Sequence, residues 1–183
     1  MAPVEGQQPK RVAVADPNTL TCVIWLEAGP ARILLGGDLE LGPGAGCGWN
    51  AVLSSPFRPA AEASVFKVPH HGSSNAHHPE VWENMLTKEP LALLTPYRLG
   101  RHELPTPTDR QRICGITDAA YITSGLKSPS QTAQAKKVAA QLSGTARNVQ
   151  QEGKAGHIRA RLVPGSSNWN VDLAHPARHL CKT

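Results

Sequence analysis

Phe66-Lys67-Val68-Pro69-His70-His71-Gly72-Ser73 joins the end of a strand-like run to two adjacent histidines and a turn. Val65, Phe66 and Val68 are strand formers, Pro69 lacks the N–H that would continue a ladder, and Gly72 frees the backbone to turn. His70 and His71 are therefore expected at the carboxyl end of a strand, which is where α/β proteins keep their ligands. Upstream, Arg32-Ile33-Leu34-Leu35-Gly36-Gly37-Asp38 repeats the plan with an apolar strand, two glycines and one carboxylate. A carboxylate and an imidazole presented in this way are donor types that bind Zn²⁺ or Mn²⁺.

The flanking sequence reads as scaffold. Thr21–Glu27 and Ala31–Leu35 are expected to form a hairpin through Ala28-Gly29-Pro30, which delivers Asp38. Leu41–Asn50 holds four glycines and a proline and is expected to be a loop. Trp49 in it fits a packing anchor, with stacking on a substrate as the open alternative. Pro79 suits the first turn of a helix whose apolar face is Val81, Trp82, Met85 and Leu86. A buried strand, Leu91–Thr95, follows, and then a loop, Tyr97–Pro107, that carries Arg98, Arg101 and His102. Thr108–Cys114 reads as a helix, Ala119–Thr123 as a strand and Ser128–Leu142 as a helix, and His157–Val163 with Trp169–Leu173 as a terminal hairpin. Residues 1–11 are expected to be a mobile lead-in to one domain over residues 12–183. The expected class is α/β (α+β), a mixed sheet flanked by helices.

Taken in order, Asn18-Thr19-Leu20-Thr21, Leu34 to Asp38 and Lys67 to Ser73 resemble segments of the metallo-β-lactamase superfamily, in the branch typified by the soluble domain of ComEC-type competence proteins. The resemblance covers roughly residues 12 to 125 and weakens beyond them. It implies half of an αββα sandwich, with Asp38 as a metal-bridging ligand and one of His70 and His71 as the last metal-binding histidine. It further implies that the other histidine orients the first, contacts substrate or caps the turn. His102 then corresponds to a site-facing substrate or general-acid residue, and Ser73, Arg98 and Arg101 to candidate substrate contacts. Relatives also carry a His-x-His-x-Asp-His cluster upstream, whereas this chain has no histidine before His70. The chain is therefore expected to be the C-terminal half of such a fold. Its Zn²⁺ (or Mn²⁺) site would be completed by a second polypeptide that carries the N-terminal half, with self-association as the less specific substitute. The implied activity is that of a phosphodiesterase or nuclease. A non-catalytic interaction module and a truncated product are the other readings.

Composition sets outer bounds. A chain of 183 residues can bury about two-thirds of its unfolded surface, but with 4% aromatics the core must be mostly aliphatic. The net charge of +5 suggests an anionic partner such as nucleic acid, although the basic residues are thinly spread and fit a solvated surface better than a nucleic-acid groove. Four scattered cysteines, Cys22, Cys47, Cys114 and Cys181, with no leader-like segment before them, lead us to expect free thiols and a cytoplasmic location. Apolar runs fall well short of the ~20 residues that span a bilayer, so no membrane partner is expected. His77 and His78 are expected to be exposed, and Asp172, His175, His179 and Cys181 form only a weak second metal-like cluster because Pro176 interrupts it. No phosphate-cradling Gly-rich motif and no nucleophile elbow occurs.

Overall fold

In a computed structural model, residues 17–182 are described apart from 100, 125–136, 139, 142–155, 164 and 167. The lead-in over residues 1–11 and most of the helix predicted for Ser128–Leu142 lie outside the described residues. Ten strands and three complete α-helices are seen among the described residues, and residues 137, 138, 140 and 141 are helical as well. Strands β1 (Ile24–Ala28), β2 (Ala31–Leu35), β3 (Ala63–Lys67), β4 (Leu86–Leu94), β7 (Ala120–Ile122) and β10 (Arg178–His179) make a six-stranded sheet in the order β1-β2-β3-β4-β7-β10. The four central strands run parallel, and β1 and β10 are antiparallel edges. The protein is thus a mixed α/β structure built on one mixed sheet.

Helices α1 (Gly48–Ser54), α2 (Pro79–Asn84) and α3 (Pro107–Cys114) cover one face of that sheet. Strand periodicity decides which residues meet them. Leu34, Phe66, Ala92 and Ala120 lie opposite one another across β2, β3, β4 and β7, and all are buried in one cluster with Trp49, Trp82 and Ile113. Phe66 meets both indoles in edge-to-face contacts, at centroid distances of 6.3 Å to Trp49 and 5.1 Å to Trp82. Three of the eight aromatics, Trp49, Phe66 and Trp82, thus meet in the middle of the core.

The opposite face carries Ile33, Val65 and Leu91 in one row and Leu35, Lys67, Leu93 and Tyr121 in the next. A separate hairpin, β8 (His157–Leu162) with β9 (Trp169–Ala174), covers part of it. Trp169 Nε1–H donates to Ser64 Oγ at 3.1 Å, and a cavity of about 370 Å³ lies between Leu91, Tyr121, Trp169 and Val171. Val65 and Leu91 are therefore buried, but Ile24 and Leu26 on the edge strand remain 50% and 44% exposed.

Several expectations need correction. The Leu41–Asn50 segment is a loop only to Cys47, because Trp49, Val52 and Leu53 at helical spacing start α1 at Gly48. Tyr97–Pro107 is a tight hairpin, β5 (Tyr97–Leu99) with β6 (His102–Leu104), rather than an open loop. Cys114 and Cys181 form a disulfide, which leaves only Cys22 and Cys47 as free thiols and removes the cysteine argument for a reducing compartment. The pairing of β10 with β7 brings the two cysteines together from 67 residues apart. No helix among the described residues is long and apolar enough to cross a membrane.

His77 is half-buried rather than exposed, and its Nδ1 has no hydrogen-bond partner. Burial first, and then the charges of Arg112 and His78, push its pKa down to about 4 against an opposing pull from Asp109. Below its ordinary value of 6.5 the unfolded chain therefore holds a proton that the folded chain does not. Stability is expected to fall as pH drops from about 6.5 towards about 4, and His77→Gln should flatten that slope. Urea unfolding midpoints across this range check it, and an unchanged slope in the variant would assign the loss elsewhere.

Candidate functional site: two strand ends joined by a left-handed turn

Asp38 follows β2 and the two histidines follow β3, and these strands are parallel neighbours, so their carboxyl ends meet. Two backbone hydrogen bonds fasten the ends together. Gly36 N–H donates to the Lys67 carbonyl at 3.0 Å and His70 N–H to the Gly37 carbonyl at 3.1 Å. Gly37 sits at φ 55°, and a Cβ there would lie 2.7 Å from the Thr21 methyl.

The histidine turn is unusual in its backbone. His70 (φ 43°), His71 (φ 55°) and Gly72 (φ 83°) are three successive left-handed residues. For the two histidines this conformation costs about 1–2 kcal/mol each. Surrounding bonds hold it in place. Gly72 N–H donates to the Pro69 carbonyl and Ser73 N–H to the His70 carbonyl, and the Arg112 guanidinium donates to the Gly72 carbonyl at 2.8 Å. Arg112 is itself paired with Asp109 of α3 at 2.8 Å. Burial raises the Asp109 pKa, yet its hydrogen bonds with Thr106 and Arg112 outweigh that and hold it below the usual range. A Cβ on Gly72 would meet Leu94 at 2.8 Å, so only glycine fits where the turn presses on the core.

The two imidazoles have different surroundings. His70 Nδ1 lies 2.9 Å from Glu40 Oε1 and 3.2 Å from Asn75 Oδ1, both acceptors, so it carries the proton and donates. Glu40 is buried and also accepts from Asn18 Nδ2 at 3.1 Å. His71 Nδ1 lies 3.0 Å from the Thr95 carbonyl, which can only accept. The neutral His71 ring therefore keeps its lone pair at Nε2, and that atom faces Asp38 Oδ1 at 4.0 Å. Asp38 is half-exposed, so the gap between the two opens to solvent.

Trp49 anchors the carboxylate loop. Its indole N–H donates to the Leu39 carbonyl and its backbone N–H to the Glu40 carbonyl, both at 3.0 Å, with the ring fully buried. This places it as the packing anchor rather than a stacking ring. Lys67 lies beside the site on the sheet face away from the helices. Burial pushes its ammonium pKa down, and the Asp38 carboxylate pulls the other way.

The remaining expected residues stand at various distances from this centre. Ser73 closes the turn through its backbone. Arg98 pairs with Glu103 at 2.9 Å across the β5–β6 hairpin, Arg101 is exposed in the bend between the two strands, and His102 opens β6. The tail residues do not gather, because Asp172 pairs with Arg159 and Arg161 and the His179 ring accepts backbone N–H groups from Cys181 and Lys182.

Two residues of the site escaped the sequence reading. One is Glu40, two positions past Asp38, which fixes His70. The other is Tyr97, whose ring stacks on His71 with centroids 5.1 Å apart and planes at 27°. A search for aromatic and acidic residues within a few positions of each parallel strand end would have found both.

Asp38 and His71 fit a Zn²⁺ or Mn²⁺ ion in donor type. Ligands sit about 2.0–2.2 Å from zinc, so two on one ion can stand up to about 4 Å apart. Among the described residues, no group of three or more metal-binding side chains occurs, so the pair is short of the three or four protein ligands that zinc sites use. Comparison with models of known protein families, with curated proteins and with solved structures found no match.

His70→Ala should lower stability by about 1–3 kcal/mol, because it leaves the buried Glu40 carboxylate with the Asn18 amide in place of two side-chain donors. His71→Ala should cost less, about 0.5–1.5 kcal/mol, since the ring gives up one neutral hydrogen bond to the Thr95 carbonyl and strands no buried charge. Urea denaturation of both variants checks this, and equal losses would mean that both rings serve the fold.

Proposed function

We propose that the chain supplies one part of a metal-dependent hydrolase of the metallo-β-lactamase kind, acting on phosphodiesters. Asp38 and His71 are its metal ligands, and a second polypeptide carrying the His-x-His-x-Asp-His cluster provides the rest. The observation that carries this is His71 Nε2 standing 4.0 Å from Asp38 Oδ1 while Nδ1 is held by the Thr95 carbonyl, which leaves Nε2 as the ring nitrogen free to bind. Metal-binding histidines are commonly oriented through their other ring nitrogen in this way. The strained backbone at both histidines points the same way, since such strain collects at functional sites.

Zn²⁺ or Mn²⁺ held there would supply Lewis acidity towards a phosphoryl oxygen. The chain's own residues do the positioning. Glu40 holds His70, which fixes the turn, and the turn aims His71. The exposed Ile24 and Leu26 support a second polypeptide, since covering each would contribute on the order of 1.5–3 kcal/mol. The same two residues, together with a donor set of only two, favour the alternative of a non-catalytic interaction module with the αββα half-fold as its ancestry.

Calorimetric titration of the purified chain with Zn²⁺ separates the two. Weak binding that disappears in Asp38→Ala and in His71→Ala, and persists in His70→Gln, is the expected result. Hydrolysis of a phosphodiester should appear only when the complementary polypeptide is co-expressed. Tight binding of two ions by the single chain would contradict the divided site. Binding indifferent to Asp38 and His71 would leave the interaction module.

A further inference from the structure

We propose that Tyr97 is a specificity-determining residue that stacks an unpaired nucleotide base beside the phosphodiester faced by Asp38 and His71. The inference rests on the phosphodiester reading above. Tyr97 begins β5, three residues past the end of β4, so the same strand end that supplies the Thr95 carbonyl to His71 also delivers the phenol ring. One face of that ring lies on the His71 imidazole. The residue is nevertheless 40% exposed, and among the described residues no second aromatic ring lies on it, so we take its outer face as the free one. An aromatic ring with one face pinned and one face free is a rigid platform that loses little conformational entropy when a second ring lies on it.

The hairpin extends this platform. Tyr97 and Leu99 are two apart on β5 and so share one side of it, and Leu99 pairs directly with His102 on β6. Tyr97, Leu99 and His102 therefore stand on one face of the hairpin, with Leu99 66% exposed, and Arg101 is exposed in the bend next to them. A planar apolar strip edged by a cation is what an unpaired base and its phosphate require. Paired bases offer no free ring face, so the class of substrate is a single-stranded or frayed nucleic acid. The hairpin is firmly rooted, since Pro105 after β6 is fully buried and Thr106 caps α3 through Asp109. Its position beside His71 is thus set by the core.

Fluorescence anisotropy of the purified chain with a labelled thymidine oligonucleotide, and with an abasic strand of equal length and charge, tests this directly. Stacking on an aromatic side chain is worth about 1–3 kcal/mol per base, so the wild-type chain should bind the thymidine strand roughly 5-fold to 150-fold more tightly than the abasic one. Tyr97→Phe should keep that preference. Tyr97→Ala should lose it, and so should Tyr97→Leu, which keeps an apolar side chain there without an aromatic face and guards against an effect of misfolding. Equal binding of both strands by the wild type overturns the role of Tyr97 and leaves the phosphodiester reading standing. A preference that survives in Tyr97→Ala and Tyr97→Leu places the base elsewhere. Failure of both strands to bind at low ionic strength overturns the inference and the nucleic-acid reading together.

Discussion

The site depends on the hydrogen bond from His70 N–H to the Gly37 carbonyl. It ties the turn after β3 to the turn after β2, two segments that the parallel pairing brings side by side but does not itself connect. With Gly36 N–H bonded to Lys67, the strand ends become one rigid unit carrying a carboxylate and two imidazoles. The same unit forces His70 and His71 into left-handed conformations that L-residues seldom adopt. Such a backbone persists only because its neighbours over-determine it. Glu40 below, Arg112 at the far end and Leu94 against Gly72 each remove one way for the turn to relax.

The helices serve this unit as much as the core. Helix α1 holds the Asp38 loop through Trp49, and α3 holds the histidine turn through Arg112. The C-terminal segment in turn holds α3. Arg110 donates to the Leu180 carbonyl at 3.0 Å, and the Cys114–Cys181 disulfide joins the end of the helix to the following residue. A continuous set of contacts therefore runs from the tail through α3 to the site.

Much of the fold was legible in the residues, and the failures share a physical cause. The Gly29-Pro30 hairpin, the strands ending at Leu35, Lys67 and Leu94, and the terminal hairpin all have long periodic runs or decisive turn residues. Strands β5, β6 and β10 are only two or three residues long, too short for alternation to register. The glycine run before α1 hid the helical spacing of Trp49, Val52 and Leu53. The disulfide lay beyond any local reading, because it depends on a strand pairing 67 residues apart in sequence. At the site, Asp38 and the histidine pair were visible because the turns announce them. What each imidazole does was not, since Glu40 and Thr95 reach the rings from other strand ends.

That difference between the two rings is directly observable. Nitrogen-15 NMR of the histidine side chains reports which ring nitrogen bears the proton, and whether it changes when Zn²⁺ is added. We expect His71 to hold its proton at Nδ1 and to shift at Nε2 on addition of Zn²⁺, while His70 stays donating to Glu40 and does not respond. A proton at His71 Nε2, or a Zn²⁺-dependent shift at His70 with none at His71, would contradict the account.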